Sequence, residues 1–325
     1  MGEVRTRDMW LRPDGRTVRY YRLDEPLPDK RPLAVVTGAD TYVGQALVES
    51  LHAHEQSVAA LSAGPVPLAV PRFLGTAGFG PAWEALLATH EVHTVYHCTR
   101  LPAPGVCRRP TRPQEAEAWE VHVADTLALL RRWDDQPPAV VLLSSAAVYG
   151  GGSPHPAAED QSLAPDSPWA DSLAAAEALV ADLAPQHVIL RLFEAVGPDS
   201  AGRVTDGPEA PWAQMARGQP VEAVPARTDF VALDAVADAL GRAGRHLAEG
   251  GGSLTLNLGT GRSTDPTALA AAFGAPVPSA LANKGLVADI SRLQQAWGWV
   301  PPAPPLPALA RASRAALAGE PRAHD

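Results

Sequence analysis

Three groups of residues in this chain carry types and spacings that suit chemistry on a small molecule. The first is the run VVTGADTYVG (35–44), in which Gly38, Thr41 and Gly44 fall between an apolar stretch and a helix-forming one. A glycine turn joining a strand to a helix directs backbone N–H groups and the positive end of the helix dipole at an anion such as a pyrophosphate. Gly38 permits the tight turn, Tyr42 and Val43 open the helix, and Gly44 lets the helix approach the sheet. The middle position is Thr41, whose side chain narrows the approach of a phosphate while offering a hydroxyl to it. The second group is Ser144 and Ser145 in LLSSAAVYG (142–150), hydroxyls at the end of an apolar run. The third is spread along the chain: His122 in EVHVADT, Trp169 in SPWADSL, and Phe193 with Glu194 in RLFEAVGP.

The elements around these residues follow from hydrophobic periodicity. PLAVVTG is continuously apolar, as a strand buried on both faces is, and a helix runs from Tyr42 to about Ala53. Strands follow at SVAAL (57–61), HTVYHC (93–98), AVVLLSS (139–145) and HVILRLF (187–193), with amphipathic helices over 116–133 and 166–183. Asp166 or Ser167 supplies the N-cap of the latter helix and Pro168 its first turn. Strands alternating with helices predict an α/β fold: a doubly wound, parallel Rossmann sheet covered on both faces. Ligands of such sheets bind at the carboxyl ends of the strands, so Thr99 and Arg100 line the cleft after strand 93–98. Residues 9–23 read as two short strands around Pro13-Asp14-Gly15, a β-arm within an N-terminal extension, 1–31. The nucleotide domain then spans 32–200, with 227–261 returning to it. Segments 201–226 and 262–325, rich in Pro, Ala and Arg, build a substrate cap.

Composition narrows the partners. A formal charge of −9 does not suit a phosphate-backbone binder, so no nucleic acid is expected. No apolar run of about 18 residues exists to span a membrane, and the charged start MGEVRTRDMW lacks a signal core. The two cysteines, Cys98 and Cys107, make no disulfide framework, which suits the cytoplasm. No metal is expected. At the end of the second strand, where an acid would hold the ribose 2′-hydroxyl of NAD, LSAG (61–64) places Ser62, and no acid follows until Glu84. Without that carboxylate a 2′-phosphate meets no repulsion, which favours NADP (as NADPH), with Arg72 or Arg100 as the cation.

These motifs resemble, in order over about residues 33–300, the extended short-chain dehydrogenase/reductases, which include sugar-nucleotide epimerases and dehydratases. The matching segments are VVTGADTYVG, VYHCT (95–99), LLSSAAVYG, ILRLFEAVGP (189–198), RTDFVALDAVADAL (227–240), NLGTG (257–261) and ADISRLQQAWGWVP (288–301). In that family a serine, a tyrosine and a lysine carry the chemistry. The serine matches Ser145. The tyrosine position holds Trp169 and the lysine position Leu173, in SPWADSL. No alignment slip restores the pair, because no tyrosine follows Tyr149 and the only lysines are Lys30 and Lys284. An indole has no useful acidity, so the resemblance implies a hydride-carrier site without its usual proton donor. Where sugar-nucleotide members carry a phosphate-contacting asparagine, this chain has Glu194, whose charge would repel a diphosphate, partly offset by Arg227.

One-way carbonyl reduction survives the loss of the pair better than reversible oxidation does, because only a proton is still required. The degenerate aromatic-polyketide ketoreductases fit that logic. The expectation is therefore NADPH-dependent reduction of a polycyclic aromatic, angucyclinone-like ketone, the proton coming from the substrate's own phenol or from water. Ser145 donates to the carbonyl, His122 is a proton-relay candidate, and Trp169 and Phe193 line the pocket with Glu194. Alternatives are an NADP(H)-sensing protein without activity and a nucleotide-sugar epimerase- or dehydratase-like enzyme. Helices 116–133 and 166–183 suit a homodimer.

Overall fold

The computed structural model describes residues 9–11, 17–19, 31–62, 70, 72–74, 81–99, 112–133, 137–151, 155–204, 211–219, 221, 223–225, 227–276, 280–282 and 285–319. Strands β1 (Met9–Leu11) and β2 (Thr17–Arg19) form the expected antiparallel pair, Met9 opposite Arg19; the intervening turn and Arg100 lie outside the described residues. The nucleotide fold then runs β3 (Arg31–Thr37), α1 (Tyr42–Ala53), β4 (Val58–Ser62), β5 (Arg72–Leu74), α2 (Pro81–Thr89) and β6 (His90–Cys98). It continues through α3 (Arg112–Trp119), α4 (Asp125–Leu130), β7 (Ala139–Ser145), α5 (Pro168–Leu183), β8 (His187–Leu192) and β9 (Glu194–Val196). The last third contains α6 (Pro211–Ala216), β10 (Ala223–Pro225), β11 (Phe230–Ala232), α7 (Leu233–Ala248), β12 (Leu254–Leu258), α8 (Pro266–Phe273), β13 (Ala280–Ala282), α9 (Ser291–Trp297) and α10 (Leu306–Gly319).

Seven of these strands make one sheet, in the order β12-β8-β7-β6-β3-β4-β5, every pair parallel. The apolar runs are central because both their faces are covered. Ala34, Val36, Leu143 and Leu190 pack under α1 and α7, while Leu33, Val35 and Val95 meet Trp83, Leu86 and Leu129 on the opposite face. The connections run outward in opposite directions from β3, so the β3/β6 junction is the switch point where a crevice opens.

The helix expected over 116–133 begins earlier, at Arg112, and is not uniform. A π turn, Glu120–Ala124, separates α3 from α4, closed by the Asp125 N–H donating to the Glu120 carbonyl. The extra residue shifts the helix face and brings His122, fully buried, against α5.

Beyond β8 the chain builds a second, smaller core. β9 pairs with β11 in parallel, and β10 with β13. Val204, Trp212, Met215, Phe230, Leu269 and Phe273 pack together beneath α10. Trp212 belongs to this core: its ring meets Phe230 edge-on and its indole N–H donates to the Val204 carbonyl.

Candidate active site

The phosphate turn is built from close backbone contacts. Gly38 has φ +65°, and a Cβ there would stand 1.7 Å from the Cys98 carbonyl oxygen at the end of β6. A Cβ at Gly44 would stand 2.1 Å from the Gly38 carbonyl oxygen. Larger residues at either position would push β3, β6 and α1 apart. Thr41 is the N-cap of α1: its hydroxyl accepts from the Gly44 N–H and donates to the Gly38 carbonyl at 2.8 Å. In this structure the hydroxyl proton expected to serve a phosphate is directed at the Gly38 carbonyl inside the turn. Tyr42 and Val43 open the helix, both buried, and the Tyr42 hydroxyl donates to the Gly197 carbonyl.

A second clamp holds the turn from outside. Arg203 donates to the Asp40 carbonyl (2.6 Å), the Thr41 carbonyl (3.3 Å) and the Gln45 side-chain oxygen (2.8 Å), while Asp199 takes its Nε at 2.7 Å. Nothing in the local sequence around Arg203 signals this role, because its partners lie some 160 residues away.

At the mouth of the crevice Thr99 follows β6. It is 5% exposed, and its hydroxyl oxygen is buried without a hydrogen-bond partner among the described residues. A buried hydroxyl left unsatisfied at the switch point suits a polar ligand that completes it. Together with the turn, this fits a dinucleotide. Ser62 ends β4, buried, and Arg72 lies on the neighbouring edge strand in register with Ala60.

Ser145 ends β7. Its hydroxyl accepts from the Ala147 N–H (3.2 Å), which starts the short turn Ala146–Tyr149 and leaves the hydroxyl proton for another acceptor. Trp169 and Leu173 stand in the first two turns of α5, 8% and 1% exposed. Ser167 caps that helix. Leu173 packs with Ala146, Tyr149 and Phe193. Trp169 meets the His122 ring edge-on at 5.0 Å, and His122 Nδ1 hydrogen-bonds Ser172 at 2.7 Å. His122 therefore sits behind the tryptophan rather than on the cleft. His97 is enclosed between Thr37 (2.7 Å) and Thr126 (2.8 Å); burial, then His122, lowers its pKa to about 3, so it stays neutral.

Tyr149, the last phenol in the chain, does not stand in for the missing one. Its hydroxyl donates to Asn257 (2.7 Å) and accepts from Arg191 (2.9 Å), and burial pushes it up to about 12 against the pull of Arg191. Arg191 in turn grips Glu177, with Nη2 to Oε2 at 2.6 Å and Nε to both oxygens, and Ser144 donates to Glu177 at 2.6 Å. This buried cluster supports the strand ends that carry Ser144 and Ser145. Of its members the sequence motifs single out Ser144; an arginine inside an apolar strand and a glutamate inside an alanine-rich helix are the signals for Arg191 and Glu177.

Glu194 departs from expectation. Its residue type suggests an ionised acid, yet it is 8% exposed in β9, and desolvation raises its pKa well above the usual carboxylate range. A carboxyl shifted in that direction carries less of the charge that would repel a diphosphate. No group of three or more metal-ligating side chains occurs among the described residues, and none of their helices is long and apolar enough to cross a membrane.

Residues 34–259 match the model of the NAD dependent epimerase/dehydratase family. A UDP-glucose 4-epimerase from Azospirillum brasilense is 29% identical over 314 residues, 83% of this chain and 87% of that protein. Among solved structures, MoeE5 in complex with UDP-glucose and NAD superposes with a TM-score of 0.74 at 24% identity, covering 88% of this chain and 98% of that one. UDP-glucose 4-epimerase from Brucella ovis in complex with NAD gives 0.72 at 21% identity, covering 88% and 98%. The chain belongs to the NAD-dependent epimerase/dehydratase family.

Proposed function

We propose that this protein is an NADPH-dependent reductase of an aromatic, angucyclinone-type ketone, acting without the tyrosine–lysine pair. The observation that carries the reading is the contrast between an intact phosphate turn and a substituted acid–base pair. Gly38, Gly44 and the Thr41 cap are all in place, while Trp169 and Leu173 are buried where a phenol and an ammonium would act. Bound NADPH would supply a hydride. Gly38, Tyr42, Val43 and Gly44 would hold its pyrophosphate, with the Thr99 hydroxyl as a further donor. Ser62, with no acid beside it, would leave room for a 2′-phosphate. Ser145 would donate a hydrogen bond to the substrate carbonyl, and Trp169 and Phe193 would offer aromatic surface to a flat substrate.

The chemistry favours reduction. Epimerisation and dehydration start by removing a hydroxyl proton, and neither indole nor leucine accepts one. Reduction needs only a proton delivered to an oxygen that the arriving hydride makes strongly basic. A second reading, a nucleotide-sugar epimerase or dehydratase, draws support from the name of the Azospirillum relative.

The test is to incubate the protein with NADPH and peri-hydroxylated aromatic ketones, and separately with NAD and UDP-glucose. Loss of nicotinamide absorbance with ketone alone supports the reductase. Turnover of the sugar nucleotide replaces it with the second reading, and firm NADPH binding without turnover of either points to a sensor.

A further inference from the structure

The reductase reading leaves the proton source open, and the fold contains a group suited to it outside the Ser145–His122 set. Glu194 begins β9, two residues beyond Leu192, which stands in register with Ser145 on the adjacent strand. It lies at the carboxyl end of the sheet, where ligands of this architecture bind. The ribbon of β9 and β11 joins the two cores. Ala195 and Val231 pack into the main core, Val196 and Phe230 into the cap core. Side chains alternate along a strand, so Glu194 falls on the cap side with Val196, opposite Phe230 in register. That is the seam between sheet and cap.

The polar surroundings of the carboxyl are sparse. Its one polar partner among the described residues is the N–H of Ala195. Of the charged groups near it in sequence and register, Arg191 is committed to Glu177, and Asp229 to Thr260, Gly261 and Ala288. No ion pair to Glu194 occurs among the described residues, and burial without one disfavours its charged form. Burial thus favours the protonated form of this carboxyl.

Resting on the reductase reading, we propose that Glu194 is the acid that takes over from the missing phenol, passing its proton to the substrate oxygen as the carbonyl is reduced. The balance is simple. Bound NADPH would supply a hydride to the carbonyl carbon and become NADP+; the carbonyl oxygen would take the Glu194 proton and become a hydroxyl. The carboxylate that remains is reprotonated from solvent before the next turnover. A carboxyl kept neutral by an apolar site so that it can donate to a developing oxyanion is an established strategy.

The test uses the full chain with Glu194→Gln and Glu194→Asp. Infrared difference spectra at neutral pH should show the carbonyl stretch of a protonated carboxyl, lost in Glu194→Gln. The same variant should raise Tm at pH 8 relative to wild type and change it little near pH 4, because an acid raised in the folded state weakens folding as pH climbs above its unfolded value. With a peri-hydroxytetralone as probe, Glu194→Gln should lower kcat by about 100-fold or more at unchanged NADPH affinity, and Glu194→Asp should retain part of it. Absence of the infrared band, or a Glu194→Gln enzyme as fast as wild type, overturns the proposal. A wild type that binds NADPH but reduces no ketone overturns the reductase reading itself and the donor role with it, while the band and the Tm shift still report whether the neutral acid exists.

Discussion

Substituting Glu177 by Gln tests whether the buried charge cluster holds the site's platform. The Arg191 guanidinium and the Glu177 carboxylate are 8% and 6% exposed and share three contacts at 2.6, 3.0 and 3.1 Å. Glutamine preserves the shape but removes the charge, leaving a buried cation whose remaining partners, the Tyr149 hydroxyl and the Glu159 carbonyl, are neutral. Breaking such a pair from one side costs about 3–5 kcal/mol. For a chain of this size, at about 2–3 °C per kcal/mol, Tm should fall by roughly 6–15 °C. Ser144 also loses an ionised acceptor, so Ser145 beside it should be held less well and kcat should fall along with stability. Calorimetry or denaturant titration measures the loss. The double variant Glu177→Gln/Arg191→Met removes the unpaired charge and should recover at least about 1–2 kcal/mol relative to the sum of the single changes. A Tm within about 2 °C of wild type, or strict additivity of the two changes, would refute the assignment of the pair as a coupled unit.

Further outcomes follow from the same structure. Arg203→Ala removes the clamp on the Asp40 and Thr41 carbonyls. At about 1–2 kcal/mol for a partly exposed charged hydrogen-bond set, NADPH binding should weaken roughly 5- to 30-fold by titration calorimetry, and unchanged affinity would discount the clamp. Asp229 accepts from the Thr260 hydroxyl and from the N–H groups of Thr260, Gly261 and Ala288, so Asp229→Asn replaces one acceptor oxygen by an NH2 donor facing donors and should cost about 1–3 kcal/mol in urea unfolding. Folded His97 stays neutral down to about 3, whereas the unfolded chain binds that proton near 6.5. Between those values the unfolded state holds more protons, so stability is lost as the pH is lowered; His97→Gln should remove about 2 kcal/mol of that acid sensitivity at roughly pH 5. An unaltered acid limb would contradict the buried neutral imidazole.

Much of the architecture is written locally. The unbroken apolar runs at 33–37 and 139–143 announce strands covered on both faces, and the glycines at 38 and 44 announce a turn that only a missing Cβ allows. Ser167 ahead of Pro168 marks the start of α5 within a residue or two. The absence of tyrosine and lysine where the family places them is likewise a matter of sequence alone, and it excludes the usual acid–base pair before any coordinate is known. Each of these features depends on neighbours a few positions apart.

What the chain order does not reveal depends on groups brought together from far apart. Ser144, Tyr149, Glu177, Arg191 and Asn257 have no common spacing, yet strands β7, β8 and β12 and helix α5 gather them into one buried cluster. Thr41 reads as a phosphate donor until the turn's own amide and carbonyl claim its hydroxyl. The π turn that withdraws His122 behind Trp169 comes from packing against α5, not from a breaker in the local sequence. Glu194 shows the limit most directly. Its letter indicates a negative charge, but ionisation depends on the free energy of hydration, and only the tertiary fold decides how far water is kept away from it.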